Sequence, residues 1–251
     1  MTLTAHELGS DEGRCPVPLM ALHGIRGHGR RWRFLEGLHG WGLDLRGHGS
    51  SPVLPPWSLE QHADDVLATM NGLGLARVDL VGLSFGGAVA LYVAHRAPER
   101  VRRLVLLDPA AGIDPAVALE RARGVQPEPC FHDPSEALAV RARYWPCAPS
   151  ATVAAEVAAH LAQGADGLWR WRYEPTAVVA ACAEMSRPAP LPPKGTETLL
   201  VQADRKSVVP APYVAACLAA GVRLEVIDAG HGMDIEAPVL TRDVVAGFLT
   251  S

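Results

Sequence analysis

The stretch Val78-Asp79-Leu80-Val81-Gly82-Leu83-Ser84-Phe85-Gly86-Gly87-Ala88 constrains the fold of this chain more than any other segment. A short run rich in Val and Leu enters the pattern G-x-S-x-G, and an alanine-rich helical pattern continues from Gly86 to Ala97. Such a run reads as a strand buried on both faces. Passing from it straight into a helix requires a sharp turn, and small residues on both sides of Ser84 keep that turn from clashing. The serine hydroxyl is then pushed out over the C-terminal edge of a sheet, beside a helix N-terminus whose partial positive charge favours developing negative charge. Glycine and serine are common, so the bare pattern also occurs in ordinary turns. Its position between a buried strand and a helix is what makes Ser84 a candidate nucleophile.

The same rhythm recurs along the chain. Short apolar runs lie at Pro18 to Leu22, Trp41 to Leu45, Val78 to Gly82, Val101 to Leu107, Thr198 to Gln202 and Arg223 to Ile227. Helical patterns lie between several of them, at Leu59 to Gly72, Gly86 to Ala97, Pro212 to Ala220 and Ala237 to Leu249. Strands alternating with helices predict an α/β fold with a mostly parallel central sheet flanked by helices. The segment from about Ile113 to Pro193 breaks the rhythm. Helix-like stretches fill it (Pro134 to Tyr144, Ala151 to Gln163, Pro175 to Met185), no convincing strand stands out, and prolines from Pro188 to Pro193 mark its exit. It reads as a helical cap, residues 113–193, inserted into a core domain made of residues 1–112 and 194–251. Trp145, Trp169 and Trp171 are either pocket-lining residues beneath this cap or simply its core.

The totals narrow the function classes. With 251 residues, 49% hydrophobic and 20% charged, the chain has an ordinary globular composition and can bury a full core without disulfides or metals. A formal net charge of −4 offers no basic surface, so nucleic acid is not an expected partner. The five cysteines (Cys15, Cys130, Cys147, Cys182, Cys217) form no C-x-x-C pair and no metal-ligand cluster, which predicts a reduced, cytoplasmic protein with no metal. The polar stretch from Met1 to Asp11 does not read as a signal peptide. No apolar run approaches the roughly 18 residues of a membrane span, so no membrane association is expected.

Two further stretches carry chemistry. Leu19-Met20-Ala21-Leu22-His23-Gly24-Ile25-Arg26-Gly27 is a strand ending in His-Gly, and the glycine permits a tight turn whose amides face a site. The backbone N–H groups of Ile25 and Phe85 are the expected oxyanion hole. His23 reads as a structural hydrogen-bonder. Val226-Ile227-Asp228-Ala229-Gly230-His231-Gly232-Met233 places His231 in a small-residue loop after a late strand, able to swing over Ser84. A near-neutral pKa suits an imidazole that acts first as base and then as acid. His48 is the chief rival, but it sits in an early loop.

Asp44-Leu45-Arg46-Gly47-His48-Gly49-Ser50-Ser51-Pro52 resembles the D-x-R-G-x-G-x-S segment of α/β-hydrolases that carry a helical cap. With His23-Gly24, the Gly82 to Gly87 turn and Gly230-His231-Gly232, the resemblance spans nearly the whole chain in family order. It implies the α/β-hydrolase fold, no cofactor, and a Ser-acid-His triad on Ser84 and His231. Asp44 and Arg46 are then structural. From Phe34 to Leu45 the chain is shorter than the usual helix-plus-strand connection of that family, which predicts a truncated helix or an irregular strand.

The acid departs from the family pattern. Its usual place is a G-x-x-D turn after the strand at Thr198 to Gln202, where this chain reads Val201-Gln202-Ala203-Asp204-Arg205-Lys206-Ser207-Val208-Val209-Pro210. Aligned on Val-Val-Pro, Lys206 occupies the carboxylate position, and a lysine cannot accept a hydrogen bond from an imidazole. Asp108 ends the strand Leu104-Val105-Leu106-Leu107, the strand end where some relatives carry their acid, and is preferred. Asp204 is the alternative, and Asp234 ranks third.

The expected chemistry is acyl transfer to water through an acyl-enzyme, on a small ester, lactone or related substrate. An uncharged, moderately apolar substrate suits the cap tryptophans. Acyl transfer to another acceptor, carbon–carbon bond hydrolysis and perhydrolysis use the same residues. Dehalogenases and epoxide hydrolases of this fold usually present aspartate at the elbow, and Ser84 argues against both. A non-catalytic small-molecule receptor is the competing class. It needs no triad and would tolerate an altered acid turn. Oligomeric state is left open.

Overall fold

The computed structural model describes residues 1–9, 17–125 and 128–251. Cys15 and the end of the polar N-terminal stretch at Asp11 lie outside the described residues. In chain order the elements are β1 (Ala5–Gly9), β2 (Leu19–Leu22), β3 (Gly40–Leu43), α1 (Leu59–Gly72), β4 (Val78–Leu83), α2 (Phe85–Arg96) and β5 (Val101–Leu107). They continue as α3 (Pro115–Arg123), β6 (Cys130–Phe131), α4 (Pro134–Tyr144), α5 (Ser150–His160), β7 (Leu161–Gln163), β8 (Trp169–Trp171) and α6 (Pro175–Met185). The chain closes with β9 (Glu197–Ala203), α7 (Ala211–Ala219), β10 (Arg223–Ile227), α8 (Met233–Glu236) and α9 (Pro238–Thr250).

Seven strands form the central sheet in the order β1-β3-β2-β4-β5-β9-β10. Only β1 runs antiparallel, against β3 at the edge; the remaining pairings are parallel. The central strands β2 and β4 are buried at every position, which explains why they read as unbroken apolar runs without alternation. Alternate residues nevertheless go to opposite layers. Leu80, Leu104 and Leu106 pack with α1 and α2, whereas Val81, Val105 and Leu107 pack with α9. Each fully buried aliphatic side chain of this kind contributes about 1.5–3 kcal/mol of transfer free energy.

Helix starts follow their capping residues. Ser58 caps α1 by accepting from the Gln61 N–H, Asp114 and Asp133 cap α3 and α4 in the same way, and proline at the first turn presets φ in both. In the shortened connection before β3, a 3-10 helix at Gly29–Leu35 replaces the usual α-helix. It buries Trp32 and Leu35 against the sheet.

The insertion between β5 and β9 departs from expectation. It holds α3 to α6, but also a three-stranded antiparallel sheet in the order β6-β8-β7. The turn between β7 and β8 is closed by the Gly164 N–H donating to the Leu168 carbonyl (2.8 Å), with Gly167 at φ +78°. These strands are two or three residues long, too short to impose a period-two pattern on the sequence. Phe131, Trp171, Tyr173, Val157 and Val178 form a separate small core there.

Candidate active site

Ser84, Asp108 and His231 all stand at C-terminal ends of sheet strands: β4, β5 and the loop after β10. Ser84 has φ +54° and ψ −119°, a conformation that costs a non-glycine residue about 1–3 kcal/mol and persists only where its surroundings impose it. Here they do. The Ser84 N–H donates to the Leu107 carbonyl of β5 (3.0 Å), and its own carbonyl accepts from Gly87 (2.9 Å) and Ala110 (3.0 Å). The neighbouring glycines are dictated by contact. A Cβ on Gly86 would stand 2.1 Å from the Leu22 carbonyl oxygen, and one on Gly82 would stand 2.3 Å from that of Gly86. Strand β2, the elbow and α2 therefore pack backbone to backbone.

His231 joins the other two residues. Its Nε2 lies 2.9 Å from Ser84 Oγ, and its Nδ1 lies 2.6 Å from Asp108 Oδ2. The Nδ1–H donates to the carboxylate, which leaves Nε2 free to accept the Ser84 hydroxyl proton. Asp108 is fully buried, and its backbone is left-handed at φ +41°. A buried carboxylate needs donors. Besides the imidazole, Oδ1 accepts from the Ser207 hydroxyl (2.6 Å) and the Ala203 N–H (3.2 Å), and Oδ2 accepts from the Val208 N–H (3.0 Å).

The loop after β9, where the resemblance places the usual acid, thus supplies donors to the Asp108 carboxylate at the end of β5. Asp204 is exposed on that loop, its N–H spent on the Ile227 carbonyl (2.9 Å), and Lys206 is exposed as well. Asp234 is buried, but it faces Arg31 Nη1 at 3.8 Å. Burial raises its pKa.

Ile25 and Phe85 flank the serine. A Cβ on Gly24 would sit 3.1 Å from Ser84 Cβ and 3.6 Å from its Oγ, so the Gly24–Ile25 peptide runs directly past the hydroxyl. Phe85 is the first residue of α2, and its N–H has no intrahelical acceptor.

The remaining histidines and charges of these loops are occupied. His23 Nε2 accepts from the Leu45 N–H (2.9 Å), and its Nδ1 donates to the Gly24 carbonyl (2.7 Å). Burial holds it well below the usual histidine range. His48 Nε2 accepts from the Arg26 N–H (3.2 Å), and burial pushes its pKa down to about 4. Asp44 accepts from the N–H groups of Gly29 (2.7 Å) and Ser50 (2.9 Å), tying the two loops together. Arg46 makes a two-pronged ion pair with Asp65 (2.6 and 2.8 Å).

The three tryptophans separate. Trp145 is buried against the His231 loop, its Nε1 lying 2.9 Å from where a Gly232 Cβ would stand. Trp171 is buried in the core of the insertion, and Trp169 packs at the edge of that core. Sequence reasoning missed Ser207 and the two arginines beside Trp145, Arg31 and Arg141, whose Cζ atoms lie 5.2 and 5.0 Å from its ring centroid. Neither belongs to a motif, and only the tertiary fold brings them in.

Strand order and the sharp turn at Ser84 define a fold class, and comparisons with known proteins identify its family. A family model described as alpha/beta hydrolase fold matches residues 17–128. The chain is 36% identical over 197 residues to a lipase, LipV, of Mycobacterium tuberculosis, covering 76% of each chain. Among solved structures, an E-2-(acetamidomethylene)succinate hydrolase superposes with a TM-score of 0.85 at 20% identity, covering 99% of this chain and all of that one. A marine microorganism esterase gives 0.78 at 20% identity, covering 99% of both chains. These two likenesses show a shared fold. The chain belongs to the α/β-hydrolase fold family. Within that family it is an esterase/lipase-like hydrolase. Among the described residues, no helix is long and apolar enough to cross a membrane.

Proposed function

We propose that the chain is a serine esterase in which Ser84 is the nucleophile, His231 the general base and then acid, and Asp108 the acid of the triad. The observation that carries this reading is the unbroken hydrogen-bond chain from Ser84 Oγ through the His231 ring to Asp108. Ser84 Oγ attacks the ester carbonyl while its proton passes to His231 Nε2. The tetrahedral oxyanion rests on the Ile25 and Phe85 N–H groups. Its collapse breaks the C–O bond, and the leaving alcohol takes the proton from His231. Water repeats the sequence on the acyl-enzyme, with His231 again accepting a proton, and the carboxylic acid departs. Asp108 holds the imidazole tautomer and stabilises the imidazolium throughout. Residues 113–193 act as the cap over this site, with Trp145 at its border with the His231 loop.

Incubation with a fluorophosphonate, read as intact mass, tests the nucleophile. The expected result is a single adduct on the native protein and none on Ser84→Ala. An unlabelled, folded native protein would turn the reading towards a receptor.

A further inference from the structure

Where the insertion meets the core, a buried guanidinium makes no direct ion pair among the described residues. Arg141, on α4, is only 8% exposed, and among the described residues its Nε and Nη2 have no hydrogen-bond partner. Its carbon Cζ lies 4.1 Å from the centroid of Trp171 and 5.0 Å from that of Trp145, so aromatic faces hold it in place. Such contacts stabilise the cation but leave its donors unmet.

The ion pairs of the nearby carboxylates Glu156 and Asp234 go to Arg31. Glu156 Oε1 accepts from Arg31 Nε (3.0 Å) and Nη2 (2.5 Å), and its Oε2 accepts from His28 Nε2 (2.7 Å). Asp234 faces Arg31 and not Arg141. Among the described residues no carboxylate pairs with Arg141. Burial and the neighbouring Arg31 push its pKa down to about 10, so it remains charged at neutral pH. His160 is fully buried and stacks on Trp171, and among the described residues both its ring nitrogens are also without a hydrogen-bond partner. Unmade hydrogen bonds on a desolvated guanidinium are costly, and an oxyanion relieves that cost. Trp145 links this guanidinium to the His231 loop, lying against Arg141 on one side and against Gly232 on the other.

We propose that Arg141, framed by Trp145 and Trp171, binds a carboxylate on the substrate, so that the preferred substrates are esters of acids bearing a second, ionised carboxyl group. This deepens the serine-esterase reading and rests on it for the reaction, and it differs from the uncharged substrate expected from the tryptophans. Arginine suits the role because its planar fork matches a carboxylate.

Two measurements test it. Glutarate and its neutral analogue glutaramide are titrated into the Ser84→Ala protein, with thermal shift and calorimetry as readouts. Specificity constants are then compared for the 4-nitrophenyl monoester of glutaric acid and for 4-nitrophenyl pentanoate. Glutarate is expected to bind and glutaramide not, and the acidic ester to be preferred by about 10- to 100-fold, the worth of a charged hydrogen bond. Arg141→Met should bring that preference to about one and abolish glutarate binding, with Arg141→Lys intermediate. Glutarate binding to the unsubstituted arginine keeps the test decisive even where Arg141→Met does not fold. Ser84-dependent hydrolysis of both esters with no charge preference and no glutarate binding overturns the carboxylate site and leaves the esterase reading intact. Arg141-dependent glutarate binding with neither ester hydrolysed sustains the site and overturns the esterase reading.

Discussion

The elbow around Ser84 and the corner around Asp108 lie on adjacent strands and meet at the same imidazole, yet they are specified in opposite ways. The elbow is local. Six consecutive residues, Gly82 to Gly87, include glycines that could not bear a Cβ without striking backbone oxygens at 2.1 to 2.3 Å. The acid corner is assembled from a distance. Asp108 comes from the end of β5, and Ala203, Ser207 and Val208 come from the end of β9, about one hundred residues later. Because β5 and β9 are neighbours, with Leu107 opposite Val201, the loop after β9 reaches the β5 carboxylate that pairs with His231. A backbone constraint ties a residue to its position, whereas a charge constraint asks only that a carboxylate arrive.

That contrast can be broken most forcefully at the two ends of the hydrogen-bond chain. Ser84→Ala should lower kcat for a 4-nitrophenyl ester by about 10⁶-fold, with the far-ultraviolet spectrum unchanged. Residual turnover within about 100-fold of native would move the nucleophile elsewhere. Asp108→Asn should lower kcat by about 10⁴-fold and slow fluorophosphonate labelling in parallel, since the imidazole loses its orienting carboxylate. Asp204→Asn, at an exposed side chain, should stay within about twofold. The opposite ranking would put the acid back on β9.

The elbow should respond in stability and not in chemistry alone. Gly86→Ala drives a methyl group into the Leu22 carbonyl oxygen, with no flexible side chain to give way. A loss of about 3 kcal/mol or more is expected, at the upper end of overpacking costs because the obstruction is backbone. Thermal unfolding measures it. A native-like Tm would mean that β2 and α2 are less tightly joined than their packing implies.

How much of this could be read in the sequence follows the same division. The bounds of β5, β10, α1, α4 and α6 coincide with their apolar and helical patterns, and the other sheet strands expected from those patterns shift by one or two residues. The elbow was legible because the backbone forces its residue types. His231 was legible because a strand and two glycines frame it. Strand β1 was not, since His6 and Glu7 make it an edge strand with a mixed face. The β6-β8-β7 sheet was missed because its strands are too short to show a period. Asp108 could be preferred to Asp204 only as a strand end where some relatives carry their acid, since nothing local distinguishes a carboxylate that turns inward from one that turns to solvent. Arg141 could not be found at all. Its interest lies in the partner it lacks, and a missing partner leaves no pattern in a sequence.

The smallest expected effect sharpens the comparison from the acid side. Ser207 donates to Asp108 Oδ1 at 2.6 Å and accepts from the Val209 N–H at 3.1 Å, so one hydroxyl links the β9 loop to the β5 carboxylate. In Ser207→Ala the carboxylate keeps the Ala203 and Val208 N–H groups and the imidazole, and three donors still hold it in place. The loss should therefore be partial: about tenfold in kcat, matching one hydrogen bond to a charged group. Ser207→Thr retains the hydroxyl and should recover most of it. If Ser207→Ala equalled Asp108→Asn, the serine would be as necessary as the carboxylate, and the corner would be as locally constrained as the elbow. If it had no effect, the backbone donors alone would orient Asp108, and the relocated acid would depend on nothing more than the pairing of two neighbouring strands.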